Sequence, residues 1–324
     1  MNPVFSDKTK DLAPSAIREI FKSLTDPEMI SFAAGNPSPQ SFPVEKMSLI
    51  SQDIFQNDYV NAFQYSVTEG YTPLRELVKK RLASKFGINY PDDELIITTG
   101  GQQGIDLTAK VLCNEHDVVI TEDPSFIGAL NAFRAYNTRL VGVENEKDGI
   151  NVEKLEKAII ENPYCKLIYL IPTFQNPSGT TMSLEKRKRV IELANKYDKV
   201  ILEDNPYGEL RFEGEDIPTL KSLDTEDRVI YCSSFSKVLS AGMRIGFICG
   251  NKDIIQKVVV VKQVNDVHTN IFFRKAISEK VAVVDGKTFM PTPGECHSFR
   301  LNYSTPSDEQ IVEGVRRLYR AYHK

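Results

Sequence analysis

Short apolar runs rich in Val and Ile alternate with longer stretches of helical pattern through the middle of the chain. Each run is short enough to be a buried strand. The predicted strands are Glu94–Thr99, Asp117–Thr121, Arg139–Val143, Lys166–Ile171, Lys199–Glu203, Arg228–Cys232 and Ile245–Cys249. The predicted helices between them are Gln102–Cys113, Phe126–Tyr136 and Ser183–Tyr197. This alternation predicts a three-layer α/β domain with a mostly parallel sheet.

Two of these helices follow recognisable start signals. Asp123-Pro124-Ser125 is a turn and cap pattern before the second helix, and Ser183 is a capping serine for the third. In the third helix, Val190 and Ile191 share a face with Leu193-Ala194, which predicts that this face packs on the sheet.

The two ends of the chain have a different pattern. A helix is predicted near Ser15–Leu24, before a segment rich in Pro and Gly, and Ser307 is an N-cap for the final helix. We therefore predict that the two ends form a second, smaller domain. The large domain is predicted at 46–268, and the smaller one at 1–45 and 269–324.

Composition narrows the range of functions. Apolar residues make up 41% of the chain, enough for a real core, and the net charge of −4 gives no electrostatic reason to expect nucleic acid or an anionic membrane. No apolar run reaches about 18 residues, and the start lacks a secretory signal pattern. Five cysteines without a CxxC pair predict no metal site and indicate a reducing, cytoplasmic location.

Polar residues follow several predicted strands, where ligands bind in open α/β sheets. Gly100-Gly101-Gln102 opens a helix whose backbone N–H groups could bind phosphate, although a plain turn is the alternative. Asn176, before Pro177, could donate a hydrogen bond from a fixed place or belong to an ordinary turn. Asp204 could pair with a cation in the crevice or cap a helix.

Lys237 follows the strand Arg228–Cys232, and Arg244 comes seven residues later. A lysine at a strand end beside an arginine lies in a positive field, which disfavours its charged form and makes its amine nucleophilic. A solvated surface lysine is the alternative. Taken alone, none of these signals identifies a function.

Taken in order, these motifs resemble the class I/II aminotransferases of fold type I, which use pyridoxal 5′-phosphate (PLP). The likeness is strongest to the branch of 2-aminoadipate and related aminotransferases, which shares its domain with MocR-type regulators. The matching stretches are Ser15–Ile20, Ile30–Pro37, Gln64–Tyr71, Thr98–Gln103, Glu122–Phe126, Phe174–Gly179, Glu203–Tyr207, Ser233–Lys237 with Arg244, and Ser298–Ser304. The resemblance implies a large three-layer α/β/α domain with a smaller α+β domain.

The resemblance also implies catalytic roles. Lys237 would form a Schiff base with PLP and then move a proton between the substrate α-carbon and the cofactor. Asp204 would pair with the pyridine nitrogen, which keeps the ring an electron sink. Tyr207 and Asn176 would hydrogen-bond the ring oxygen O3′, and Asn176 would also face the substrate. Arg300 would bind the substrate carboxylate through its planar guanidinium group.

Further residues are assigned to binding by the same resemblance. The phosphate group is expected to contact Gly100, Gly101, Gln102, Ser234 and Arg244. Phe126 would stack on the cofactor ring, and Tyr65 would reach the phosphate from a neighbouring subunit, which implies a homodimer. Gly35 would line the substrate site. Arg18 would lie near the substrate side chain, or else form a salt bridge on a helix surface.

The function implied is transfer of an amino group from an amino acid to a 2-oxo acid, with 2-oxoglutarate as the expected acceptor and ping-pong kinetics. A β-lyase on the same fold would use the same cofactor residues, so that alternative stays open. A non-catalytic PLP-binding module, as in MocR-type regulators, is disfavoured because the motifs begin by Ser15, leaving no room for a DNA-binding domain. We expect no nucleic acid or membrane partner.

The chain departs from the family pattern near Ile271 and Phe272, where several dozen residues expected between the two domains are missing. Two explanations are open. The protein is truly shortened, or the sequence omits a stretch of the natural chain. The second is favoured, because loss of a linking helix would expose apolar surface and disconnect Arg300 from its domain.

Overall fold

The computed structural model describes residues 4–9, 12, 35, 37–38, 41–272, 309–313 and 315–316. The strands are β1 Asp93–Thr98, β2 Val118–Asp123, β3 Arg139–Glu146, β4 Gly149–Ile150, β5 Cys165–Leu170, β6 Val200–Asp204, β7 Val229–Ser234 and β8 Gly246–Asn251. The α-helices are α1 Val44–Asn57, α2 Tyr59–Phe63, α3 Thr72–Phe86, α4 Gly101–Leu112, α5 Ile127–Arg134, α6 Val152–Glu161, α7 Leu184–Tyr197, α8 Leu220–Leu223 and α9 Lys252–Gln263. All seven predicted strands are present, with ends within three residues of the prediction.

The eight strands form one sheet in the order β1-β8-β7-β6-β5-β2-β3-β4. β3, β2, β5, β6 and β7 are parallel neighbours in that sheet. β8 lies between β7 and β1 and is antiparallel to both, and the short β4 is antiparallel to β3. The predicted mostly parallel sheet is therefore confirmed.

Helices cover both faces of the sheet, because successive strand residues point to opposite sides. Ile168 of β5 packs in one apolar cluster with Leu155 of α6. The preceding residue, Leu167, packs in another with Leu107 of α4 and Phe133 of α5. Buried strands with apolar residues on both faces are typical of parallel sheets enclosed by helices. The predicted three-layer α/β/α architecture is confirmed.

The two predicted helix starts differ in outcome. Ser183 caps α7, since its hydroxyl accepts a hydrogen bond of 3.4 Å from the Lys186 backbone N–H. The cap predicted at Asp123-Pro124-Ser125 is wrong. Phe126 is the residue before α5, so the Ser125 hydroxyl lies one position too early, and it is buried with no hydrogen-bond partner in the described part of the chain.

Much of the predicted smaller domain lies outside the described residues, including the helix predicted at Ser15–Leu24. Residues 309–313 and 315–316 are helical, as expected for the segment after Ser307. The proposed division of the chain into two domains remains a prediction. Within the described ranges, no helix has the length and apolar content needed to cross a membrane.

Candidate active site

Six strands end at one edge of the sheet, and five of them lead into predicted site residues. β2, β5, β6 and β7 are parallel, and β1 runs the same way because β1 and β7 both pair antiparallel with β8. The chain segments that follow these strands therefore meet at this edge. They are the turn at Gly100, Pro124–Phe126, Ile171–Pro177, Asn205–Tyr207 and Phe235–Lys237.

Asp204, the last residue of β6, is a buried carboxylate at this edge and is only 5% exposed. Its Oδ2 accepts a hydrogen bond of 2.6 Å from the hydroxyl of Tyr169 on β5. Burial raises the pKa of Asp204 to about 7, against the lowering effect of the Tyr169 hydrogen bond and with a further rise from the charge of Glu203. A buried carboxylate is stabilised by a cation, so Asp204 can bind a positively charged ligand atom.

Asn176 and Tyr207 meet at the same edge of the sheet, although they come from loops after different strands. The Asn176 amide Nδ2 donates a hydrogen bond of 3.1 Å to the Tyr207 hydroxyl, and both side chains are buried. The Asn176 loop is tied to the loop after β2, because the Gln175 amide donates 2.8 Å to the carbonyl oxygen of Pro124. The pair can present two polar groups to one oxygen of a ligand.

Lys237 lies in the turn after β7 and is partly buried. Its Nζ donates a hydrogen bond of 2.9 Å to the carbonyl oxygen of Gly35. The contact joins residues 202 positions apart in the sequence and brings Gly35, a predicted substrate-site residue, to the predicted nucleophile. A lysine amine in this position can react with a carbonyl carbon.

A cationic site surrounds the start of α4. Gly100 has a φ of +77°, in the left-handed region that favours glycine. A Cβ atom at Gly100 would lie 2.4 Å from Nη2 of Arg244, so the guanidinium group lies directly against this glycine. The first N–H groups of α4 have no partner within the helix and carry its positive dipole end. This arrangement can bind a phosphate group.

Two residues from β7 and β8 complete this site. The Ser234 hydroxyl donates a hydrogen bond of 2.8 Å to Ser236 Oγ. Ser236 Oγ lies 3.5 Å from Nη1 of Arg244. The same Nη1 donates a hydrogen bond of 3.1 Å to the Ala241 carbonyl oxygen. A Cβ atom on Gly246 would lie 2.5 Å from the Gly100 carbonyl carbon. Gly246 is therefore required for β8 to pass so close to the turn, and sequence reasoning gave it no role.

Gln102 and Phe126 lie on the side of α5. The Gln102 amide donates a hydrogen bond of 2.7 Å to the Gly128 carbonyl oxygen, so this amide is directed at α5. A Cβ atom on Gly128 would lie 2.4 Å from Cζ of Phe126, which means that the ring lies directly over this glycine. An open cavity of about 580 Å³ is lined by Gln102, Gly128 and Arg244 among others.

One described residue of the predicted site, Tyr65, is not part of this arrangement. Tyr65 is 80% exposed, and its ring contacts His268 edge-on with centroids 5.9 Å apart. Arg18 and Arg300 lie outside the described residues.

Sequence reasoning missed two buried polar residues behind the site. Tyr169 lies within an apolar run, and nothing in the sequence indicates that its hydroxyl faces Asp204. Glu122 ends the apolar part of β2 and is 1% exposed, with Oε2 accepting 2.8 Å from the Ile171 backbone N–H. Burial raises the pKa of Glu122 to about 8 despite this hydrogen bond. The signal in the sequence that could have identified Glu122 is the position of an acidic residue at the end of an apolar strand.

Comparison with known proteins identifies the family of this chain. The model of the family "Aminotransferase class I and II" matches residues 27–283. An aromatic-amino-acid aminotransferase of Thermococcus litoralis is 40% identical over 272 residues, 83% of this chain. The chain covers 65% of that relative's length.

A 2-aminoadipate transaminase of Thermus thermophilus is 33% identical and aligns with 95% of this chain and 93% of its own length. That alignment runs over 377 residues, whereas this chain has 324, so the relative has residues without a counterpart here. A kynurenine aminotransferase structure from Pyrococcus horikoshii, in complex with PMP, has a TM-score of 0.79 and 40% identity, covering 83% of this chain and 68% of its own. The chain belongs to the class I and II aminotransferases, with the PLP-dependent fold type I.

Proposed function

We propose that the protein is a PLP-dependent aminotransferase that moves an amino group from an amino acid to a 2-oxo acid. The observation that carries the proposal is the convergence of three different groups at one sheet edge. These are the Lys237 amine, the buried carboxylate of Asp204 and the cationic turn formed by Gly100 and Arg244. No one of them is specific, but an amine, a carboxylate and an anion site together match a phosphorylated pyridine aldehyde.

The described residues fit this cofactor. Asp204 is buried with a raised pKa, and a protonated ring nitrogen would give it the cation it needs. Asn176 and Tyr207, joined by their hydrogen bond, would bind the ring oxygen. Phe126 would cover the ring face. The residues proposed for the phosphate are Gly100, Gly101, Gln102, Ser234 and Arg244.

When bound, PLP supplies an aldehyde that accepts the amino group and a ring that takes up the electrons released at the substrate α-carbon. Asp204 would hold the proton on the ring nitrogen, which would maintain that capacity. Lys237 would hold the cofactor through its amine and, as a general base, would carry a proton to and from the substrate α-carbon. The Gly35 carbonyl oxygen orients the Lys237 amine. The amino acid and the 2-oxo acid would react in turn at the same site, which would give ping-pong kinetics.

The relatives support a proposal for the substrates. Those named above act on aromatic amino acids, 2-aminoadipate and kynurenine according to their names. For this chain we propose an amino acid of that range as donor and 2-oxoglutarate as acceptor, with Arg300 binding the carboxylate and Arg18 near the side chain. Gly35 and Asn176 would line the site. We propose the cytoplasm as the compartment, and the four described cysteines are all free thiols.

We propose that the active form is a homodimer, with Tyr65 reaching the partner's phosphate site. The support is an aromatic patch formed by Phe55, Phe63 and Phe272, of which Phe63 lies two positions from Tyr65 in the sequence. The Phe55 and Phe63 rings are stacked with centroids 5.8 Å apart, and Phe272 lies 5.4 Å from Phe55. Phe55 is 56% exposed and Phe63 is 63% exposed. A second copy of the chain would remove this apolar area from water.

The experiment is a visible absorption spectrum of the protein with PLP, taken before and after adding a panel of amino acids. Bleaching of the bound cofactor by one donor, and recovery with 2-oxoglutarate, is the expected result. Release of pyruvate and ammonia from a cysteine conjugate without recovery would replace this proposal with a β-lyase. Binding without any bleaching would leave a non-catalytic module, and no binding would refute the proposal.

A further inference from the structure

A buried ion pair lies next to the proposed phosphate site and is not explained by the proposed chemistry. Lys262, in the last turn of α9, is 0% exposed. Its Nζ donates 2.6 Å to Oδ1 of Asp266 and 2.8 Å to Oε1 of Gln103. Lysines at helix ends are normally solvated, and complete burial of an ammonium group is unfavourable unless its partners are well placed.

Hydrogen bonds connect the same ion pair to the turn that precedes α4. Asp266 Oδ2 accepts 2.8 Å from the Thr99 hydroxyl and 2.8 Å from the Gln103 amide. Gln103 Oε1 also accepts 2.8 Å from the Thr99 backbone N–H. Burial alone would raise the pKa of Asp266, but hydrogen bonds from Lys262, Gln103 and Thr99 outweigh it and hold that pKa below its usual value. Asp266 is therefore a charged acceptor for the side chains of Thr99 and Gln103.

The position of these contacts in the sequence is informative. Thr99 immediately precedes Gly100, and Gln103 immediately follows Gln102. The network therefore fixes both ends of residues 100–102, a segment that opens α4 and supplies three of the residues proposed to bind the phosphate. Thr99, Gln103 and Arg244 line the same open cavity. Gly100 is intrinsically flexible, so a turn held at both ends loses less conformational freedom on binding than a free one.

We propose that the Lys262–Asp266 pair is a positioning device for the cofactor phosphate, acting through Thr99 and Gln103 on the turn at Gly100. This inference rests on the proposed function. The pair contributes no net charge, because the ammonium and carboxylate groups neutralise each other. Its effect is therefore on the geometry of the turn and specific to the phosphate end of the ligand.

The chain offers a matched control at the other end of β1. Lys221 is also 0% exposed and lies 3.0 Å from Asp93 and 3.4 Å from Asp224. Asp93 begins β1, whereas Thr99 directly follows it, so the two lysine clusters are separated by the six-residue length of this strand, roughly 20 Å. Lys221→Met removes a buried cation of the same kind without a contact to the turn.

The test compares Lys262→Met, Thr99→Val and Lys221→Met with the parent protein. Dissociation constants are measured for PLP and for pyridoxal, which has the same ring and aldehyde without the phosphate, and thermal unfolding is recorded alongside. We expect the dissociation constant for PLP to rise about tenfold in Lys262→Met and about threefold in Thr99→Val, with that for pyridoxal unchanged. Lys221→Met is expected to lower the unfolding temperature without changing the ratio of the two constants.

An unchanged ratio in both Lys262→Met and Thr99→Val would overturn the inference, as would an equal change in Lys221→Met. Thr99→Val removes only a hydroxyl group, so it decides the question if Lys262→Met does not fold. If the parent protein binds PLP and the variants bind it with the same dissociation constant, this inference alone is overturned. A parent that binds neither compound would overturn the proposed function as well.

Discussion

The buried carboxylate of Asp204 leads to a prediction with two opposite effects. Asp204→Asn keeps the size of the side chain and an oxygen that can accept the hydrogen bond from Tyr169, which is 2.6 Å long in the parent. The substitution removes the negative charge. We expect it to stabilise the cofactor-free protein above pH 7 and, at the same time, to weaken PLP binding.

The magnitude follows from the pKa. Burial raises the pKa of Asp204 from 3.8 to about 7. Between these values the folded chain holds a proton that the unfolded chain has released, so the free energy of unfolding falls as the pH rises. The slope is about 1.36 kcal/mol per pH unit and levels off near pH 7. From pH 5 to pH 8 the parent should lose about 2.5 kcal/mol through Asp204, and the Asn variant should not.

The assay is thermal unfolding of the cofactor-free parent and variant at pH 5 and pH 8. For a chain of 324 residues, 2.5 kcal/mol corresponds to a difference of about 4 °C in the pH response of the two proteins. Comparing the two pH values cancels the cost of burying the new amide group. Glu122 remains in both proteins and gives both a residual loss of stability with rising pH, since its pKa is raised to about 8. Parallel pH responses would refute the reasoning.

The remaining predictions concern the amine, the carboxylate partner and the interface. Lys237→Ala should abolish turnover and the visible absorbance of bound PLP, and retained turnover in a rapid-quench assay would exclude its role as the nucleophile. Tyr169→Phe should raise the dissociation constant for PLP about tenfold at pH 7 and less at pH 8.5, because loss of its hydrogen bond raises the pKa of Asp204 and a higher pH restores the ion. Phe63→Asp should lower the dimer fraction in analytical ultracentrifugation. An unchanged dimer fraction would show that the aromatic patch is not part of the dimer interface.

Much of the fold was predictable because it depends on local pattern. The strands are continuous apolar runs, and both faces of the sheet are covered, so each run is visible in the sequence without knowledge of its neighbours. The direction of β8 was not visible, because antiparallel pairing to β7 depends on the turn between them, where Arg244 adopts a φ of +54°. The cap at Ser125 failed because a pattern of three residues cannot locate a helix start to one position.

The site divides in the same way. Asp204, Asn176 and Lys237 follow strands, and the rule that strand ends meet at one edge was enough to group them. The supporting residues could not be found, because their roles depend on contacts between distant segments. Tyr169 contacts Asp204 across 35 positions, and Lys262 contacts Gln103 across 159. Within the sequence each of these looks like a core tyrosine or a helix-surface lysine.

These supporting contacts explain how so many polar groups are buried at one edge without the cofactor. Asp204 is held by a neutral phenol, and Glu122 by a backbone N–H. Neutral donors orient a carboxylate without cancelling its charge, so the pKa values of Asp204 and Glu122 stay raised. A cation bound beside these carboxylates would therefore stabilise their charged forms. A lysine or arginine beside Asp204 would already neutralise the carboxylate. The protein would then be more stable without cofactor, and a protonated ring nitrogen would add little stabilisation on binding. We expect the same geometry that weakens the cofactor-free protein above pH 7 to make the proposed site selective for a protonated pyridine.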